Sequence, residues 1–125
     1  MQDSKHVILY IDDDKDCLDS IRLVLEANGY IMAEAHSAEE GLKVYKQTKP
    51  DLVIADLMME EVDAGISFVR ELKAMGPTPP VYMLSSIGDS LNLSTDYTEL
   101  GLSGVFQKPL DPQILLKTLE RKLQK

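Results

Sequence analysis

The sequence predicts an α/β domain, a doubly wound five-stranded parallel sheet with five helices. Two observations predict it. Short apolar runs recur five times along the 125 residues, at 6–11, 30–35, 51–55, 80–84 and 104–108. Segments with helical spacing of apolar residues separate and follow these runs. Strands that alternate with helices form a parallel sheet covered on both faces.

The elements follow in order. "HVILYI" (6–11) is an unbroken apolar run that reads as a fully buried strand. In "DKDCLDSIRLVLEANG", Cys17, Leu18, Ile21, Val24 and Leu25 share one helical face, and Asn28-Gly29 is a stop signal. "YIMAEA" (30–35) is the second strand. Ser37 and Glu40 stand at capping-box spacing and open a second helix that stops before Pro50. "DLVIA" (51–55) is the third strand and runs into Asp56. "ISFVRELKAM" (66–75) is the third helix, ended by Gly76-Pro77, and "PVYML" (80–84) is the fourth strand. Leu93, Tyr97 and Leu100 mark a fourth helix over about 89–100. "GVFQK" (104–108) is a short fifth strand. Asp111-Pro112 caps and starts the last helix, carried by Leu115, Leu119 and Leu123. No internal repeat or low-complexity tract interrupts this order, so residues 1–125 read as a single domain.

Composition narrows the function. A hydrophobic content of 44% supports a sizeable core, and 6% aromatic residues make it mainly aliphatic. The formal net charge of −8 argues against broad nucleic-acid binding. A lone cysteine, Cys17, leaves no internal disulfide and fits a reducing compartment. No apolar run has the length of a membrane span, and "MQDSKH" lacks the layout of a signal peptide. The expectation is a cytoplasmic domain with no membrane contact.

In parallel sheets ligands sit outside the carboxyl ends of the strands, where strand order reverses. The first strand ends in Asp12, Asp13 and Asp14, the third in Asp56, the fourth in Ser85 and the fifth in Lys108. Each has an ordinary explanation: aspartates cap helices or start turns, serine caps helices, and lysine is solvated. Together at one rim, the acids, hydroxyl and lysine fit a Mg²⁺ and phosphoryl site. Mg²⁺ takes one or two carboxylates plus water and phosphate oxygens. It would offset the repulsion of adjacent carboxylates. Lys108 would give a phosphoryl oxygen a point charge, and Ser85 a hydrogen bond.

Over nearly its whole length the chain resembles the receiver domain of two-component response regulators, of the chemotaxis-regulator kind. The resemblance rests on the acidic pair after the first strand, "DLVIADLMM", "LSS" after the fourth strand, and "GLSGVFQKPL". It implies a strand order of 2-1-3-4-5 and phosphoryl transfer from a sensor-kinase phosphohistidine to Asp56. It implies Mg²⁺ held by Asp13 and Asp56, with Asp12 nearby directly or through water, and by the Met58 backbone carbonyl. Ser85 and Lys108 take the family's hydroxyl and lysine positions. The implied partners are a histidine kinase or phosphotransfer protein and an output protein. The chain itself reads as no enzyme beyond its own phosphorylation and dephosphorylation. No Gly-rich phosphate loop is present, as expected when the donor brings the phosphoryl group.

Departures from the family pattern fall on the output side. Glu60 stands where proline is common, Gly65 comes one place late, and Val105 replaces an aromatic residue. The spacing from Ser85 to Gly101 is longer than usual. Valine is stiff at its one side-chain torsion and has no large swing to make. Signalling is therefore expected to run through the Ser85–Asn92 loop and the fourth helix. His6 and His36 read as surface residues, Cys17, Met58 and Met59 as packing residues, and "LERKLQK" as a solvated helix face. Two other functions compete: a metal-dependent phosphohydrolase using Asp12 and Asp14 at DxD spacing, and an unphosphorylated interaction module. Whether the chain is a stand-alone receiver or a piece of a longer regulator stays open.

Overall fold

The computed structural model describes residues 6–56, 64–85, 103–107 and 110–123, and among these lie five β-strands and four helices. In chain order these are β1 (Val7–Ile11), α1 (Lys15–Ala27), β2 (Ile31–Ala35), α2 (Ala38–Thr48) and β3 (Leu52–Asp56). They are followed by α3 (Ala64–Ala74), β4 (Val81–Ser85), β5 (Gly104–Gln107) and α4 (Pro112–Leu123). The helix predicted over about 89–100 lies outside the described residues. Strand limits differ from the apolar runs by a residue at either end. α3 begins two residues before its first periodic apolar position, since a first helical turn need not be apolar.

The strands form one parallel sheet in the order β2-β1-β3-β4-β5. The chain leaves β1 on one side to build β2 and returns on the other to build β3. The order therefore reverses between β1 and β3. Side chains alternate across the pleat and build two cores. Ile8, Tyr10, Ile54, Tyr82, Leu84 and Phe106 meet Leu18, Ile21 and Leu25 of α1 and Leu115 and Leu119 of α4. On the opposite face Leu9, Ile11, Val53, Ala55 and Met83 meet Phe68, Val69 and Leu72 of α3, with Leu42 and Tyr45 of α2 packed against them.

Local chemistry explains the helix ends. Asp111 accepts the Gln113 amide at 2.9 Å and so caps α4, with Pro112 at the first helical position. α1 ends in a Schellman motif, with Tyr30 N–H on the Leu25 carbonyl at 3.0 Å and Gly29 N–H on that of Glu26 at 3.3 Å. Gly29, at φ 87°, supplies the left-handed turn. The capping box of α2 is offset: Ser37 accepts the Glu40 amide at 3.1 Å, but Glu40 reaches back to the His36 amide at 2.7 Å.

Two packing details hold the layers close. A Cβ on Gly41 would lie 2.9 Å from Ile11 Cδ1 and 3.1 Å from Phe68 Cε1, so its absence lets α2 approach the sheet. Across the outer edge, Arg22 of α1 donates to the Glu34 carboxylate at 2.6 Å and to the Met32 carbonyl at 3.3 Å. The Arg22 hydrogen bond holds Glu34 below the usual carboxylate range.

α2 ends on Lys49, whose φ of 51° is left-handed without being glycine. Such a conformation is costly for a residue with a Cβ. Lys49→Gly is expected to raise the unfolding free energy by roughly 0.5–1 kcal/mol, the relieved strain being partly offset by glycine's greater freedom when unfolded. Urea unfolding checks it: the midpoint rises while the m-value stays unchanged.

Candidate acidic metal and phosphoryl site

The reversal of strand order brings the ends of β1 and β3 together. Ile11 pairs with Ala55 in the parallel register, so one step further Asp12 comes beside Asp56. Asp56 itself pairs with Leu84, and Ser85 is the next residue of β4. Three of the predicted site residues thus follow from register alone.

The three aspartates after β1 have different tasks. Asp12 continues the ladder, its amide donating to the Ala35 carbonyl at 3.1 Å, and it is fully buried at 0% exposure. Its Oδ1 accepts the Asp14 amide at 3.0 Å, and its Oδ2 accepts the Tyr10 hydroxyl at 3.3 Å. Asp13 is exposed. Asp14 is the N-cap of α1: its carboxylate accepts the Asp16 amide at 3.0 Å and the Cys17 thiol at 3.4 Å. The capping explanation therefore holds for Asp14.

Asp12, Asp13 and Asp56 each place one carboxylate oxygen so that all three lie within 4.8 Å of one another. Asp56 is 5% exposed. Three such charges repel strongly, the more so because two are buried. Around Mg²⁺, at about 2.1 Å, ligand oxygens stand roughly 3–4 Å apart. A hard, all-oxygen trio with one member facing solvent fits that ion, and Asp13 leaves water access. Asp14 stands outside the trio, which removes the Asp12–Asp14 pairing that a DxD phosphohydrolase needs.

Tyr10 is the residue that sequence reasoning missed. Burial, followed by the negative charge of Asp12, raises its hydroxyl far above the ordinary tyrosine value, so it stays a donor. The signal available was a tyrosine in an otherwise aliphatic strand, two residues before Asp12 and on the same face.

Lys108 and Met58 lie outside the described residues, as do the Ser85 side chain and residues 86–100. On β5, Val105 is half-buried and pairs with Met83, while Phe106 faces the other core and stacks on Tyr82 at 5.0 Å. The two residues thus point to opposite faces, and Phe106 cannot take the place of an aromatic residue at 105. His36 is exposed, with Nε2 3.2 Å from Glu34.

A family model described as the response regulator receiver domain matches residues 8–120. The chain belongs to the response-regulator receiver family. This receiver is 34% identical over 117 residues to the transcriptional regulatory protein GlrR of Escherichia coli, covering 94% of this chain and 26% of that protein. It is 30% identical over 118 residues to the response regulator MprA of Mycobacterium ulcerans, covering 94% of this chain and 50% of that protein. The chain thus spans between a quarter and half the length of these relatives. Among solved structures, a CheY-like receiver domain protein from Methanospirillum hungatei matches with a TM-score of 0.86 and 28% identity, covering 96% of this chain and 94% of that one. Chemotaxis protein CheY4 of Vibrio cholerae matches at 0.84 and 27%, covering 96% and 100%. The receiver is therefore a signalling module of a two-component system, and the phosphohydrolase alternative falls away. Among the described residues no helix is long and apolar enough to cross a membrane.

Charge crowding makes a direct prediction. Without divalent ions at low ionic strength, Asp13→Asn is expected to raise the melting temperature of the receiver by a few degrees. The gain shrinks toward 1 M salt, where screening is short-ranged. A melting series in chelator across salt concentrations checks both halves.

Proposed function

We propose that Asp56 is the phosphoacceptor and that Asp12, Asp13 and Asp56 hold Mg²⁺ during transfer. The observation that carries this reading is the convergence of the three carboxylates within 4.8 Å at the strand-order reversal. A carboxylate is a weak nucleophile toward an anionic phosphoryl group, so catalysis is mainly positioning and charge stabilisation. An Asp56 oxygen attacks the phosphorus of a phosphohistidine. The P–O bond forms as the P–N bond breaks, and the imidazole nitrogen leaves with the electron pair. When bound, Mg²⁺ supplies neutralisation of the approaching charges. Asp13, on the solvent side, admits water to the site, and buried Asp12 keeps its orientation through two hydrogen bonds. Reset follows by water attack on phosphorus, which returns the Asp56 carboxylate and inorganic phosphate.

In the same reading Lys108 pairs with a phosphoryl oxygen, Ser85 donates to another, and the Met58 carbonyl completes the metal's protein ligands. Their support is the family resemblance and the sheet order, in which β4 lies beside β3 and β5 beside β4. The chain acts as one receiver domain in the cytoplasm, with a histidine kinase or phosphotransfer protein upstream and an output protein downstream. It turns over no separate substrate.

Incubation with a small acyl phosphate and Mg²⁺, read by intact mass, tests the assignment. The wild type gains one phosphoryl group, and Asp56→Asn loses at least tenfold of that fraction. An undiminished fraction in Asp56→Asn moves the acceptor elsewhere. Asp13→Ala weakens Mg²⁺ binding by about tenfold while the circular dichroism stays native. An unchanged affinity removes Asp13 from the metal site.

A further inference from the structure

We infer that Tyr10 is a positioning residue for the acidic site, its hydroxyl fixing the plane of the Asp12 carboxylate so that Asp12 can share a cation with Asp13 and Asp56. The inference rests on the proposal that this trio takes Mg²⁺.

The geometry argues as follows. A carboxylate turns readily about its last torsion, because an sp³–sp² bond has broad minima. One hydrogen bond leaves that rotation partly free, and two, one on each oxygen, remove it. Asp12 has the Asp14 amide on Oδ1 at 3.0 Å and the Tyr10 hydroxyl on Oδ2 at 3.3 Å. Each carboxylate oxygen can accept more than one partner, so these two hydrogen bonds do not by themselves close either oxygen to a cation or its water.

The anchor itself is rigid. The Tyr10 ring is buried at 1% exposure in the core with Ile8, Leu18 and Ile54. It lies in β1, hydrogen-bonded to β2 on one side and β3 on the other. A buried hydroxyl in an apolar core is costly without a partner, and Asp12 is that partner. An aliphatic residue would fill the same face without that cost but would leave Oδ2 without this donor. Ligand carboxylates are commonly oriented by such outer hydrogen bonds, whose loss typically costs about 10–100-fold in metal affinity. The 3.3 Å length and the retained Asp14 amide put Tyr10 at or below the lower end of that range.

Amide chemical-shift titration with Mg²⁺ alone, on wild type, Tyr10→Phe and Tyr82→Phe, tests the role. Tyr82 is a second buried tyrosine of the same core, whose hydroxyl feels the charge of Arg121 and not that of the acidic trio, and it controls for the loss of a buried hydroxyl. The Mg²⁺ dissociation constant is expected to rise about three- to tenfold in Tyr10→Phe. It should stay at the wild-type value in Tyr82→Phe. A merely structural Tyr10 would lower stability and leave the Mg²⁺ constant unmoved, which overturns the inference. Should Tyr10→Phe fail to fold, the wild type labelled with ¹³C at tyrosine Cζ gives the answer. The Tyr10 signal then moves with the same dissociation constant as the amides, while those of Tyr30, Tyr45 and Tyr82 stay put. A stationary Tyr10 signal overturns the inference as well. A wild type with no saturable Mg²⁺ shifts sinks the metal reading itself, and the role of Tyr10 with it.

Discussion

Mutual repulsion of the Asp12, Asp13 and Asp56 carboxylates is the constraint on which the site depends. No chain gathers three like charges within 4.8 Å without a scaffold that holds them there. Here the scaffold is the parallel ladder. The Asp12 amide is tied to the Ala35 carbonyl past the formal end of β1, and Asp56 is the last residue of the fully buried strand β3. The burial of Leu9, Ile11, Val53 and Ala55 on one face and Ile8, Leu52 and Ile54 on the other fixes these two strands. Hydrophobic burial of this extent outweighs the electrostatic cost at the rim. A partly buried like-charge cluster is thus a stored opposition, which a cation or a phosphoryl group can shift.

The architecture was legible because hydrophobic patterning and chain order both spoke to it. β1 and β3 are buried on both faces, so their sequences are nearly uninterrupted apolar runs. The stop at Asn28-Gly29 and the start at Asp111-Pro112 were legible for a different reason, since each uses a residue suited to one backbone conformation. Exact limits were less legible. An apolar run and a hydrogen-bond ladder end for different causes, as His6 illustrates: its carbonyl accepts the Ile31 amide although the strand proper begins at Val7. Lys49 was illegible altogether, because nothing in a lysine announces a left-handed backbone.

The acidic trio was legible from its place at strand ends, but the division of labour within "DDD" was not. Three identical residues separate into ladder, solvent and cap positions only when the strand and helix axes are set. Asp12 inherits the inward direction of Tyr10, whereas Asp14 already belongs to α1. The Tyr10 hydroxyl escaped notice because alternation identifies the face a side chain lies on but says nothing about how far a ring reaches along it.

The Arg22 guanidinium has a consequence beyond its ion pair. β2 is an edge strand, and the Ile31 amide and Ala35 carbonyl turn inward to β1. In a parallel ladder the alternate residues, Met32 and Glu34, therefore offer their backbone groups outward. An open row of that kind is a template on which another chain can add a strand. Arg22 occupies the Met32 carbonyl and lays a charged side chain over Glu34. A foreign strand approaching this border would have to displace a charged group from its partners before forming its first hydrogen bond. The same arginine that ties α1 to the sheet thus also makes this border a poorer template for strand addition.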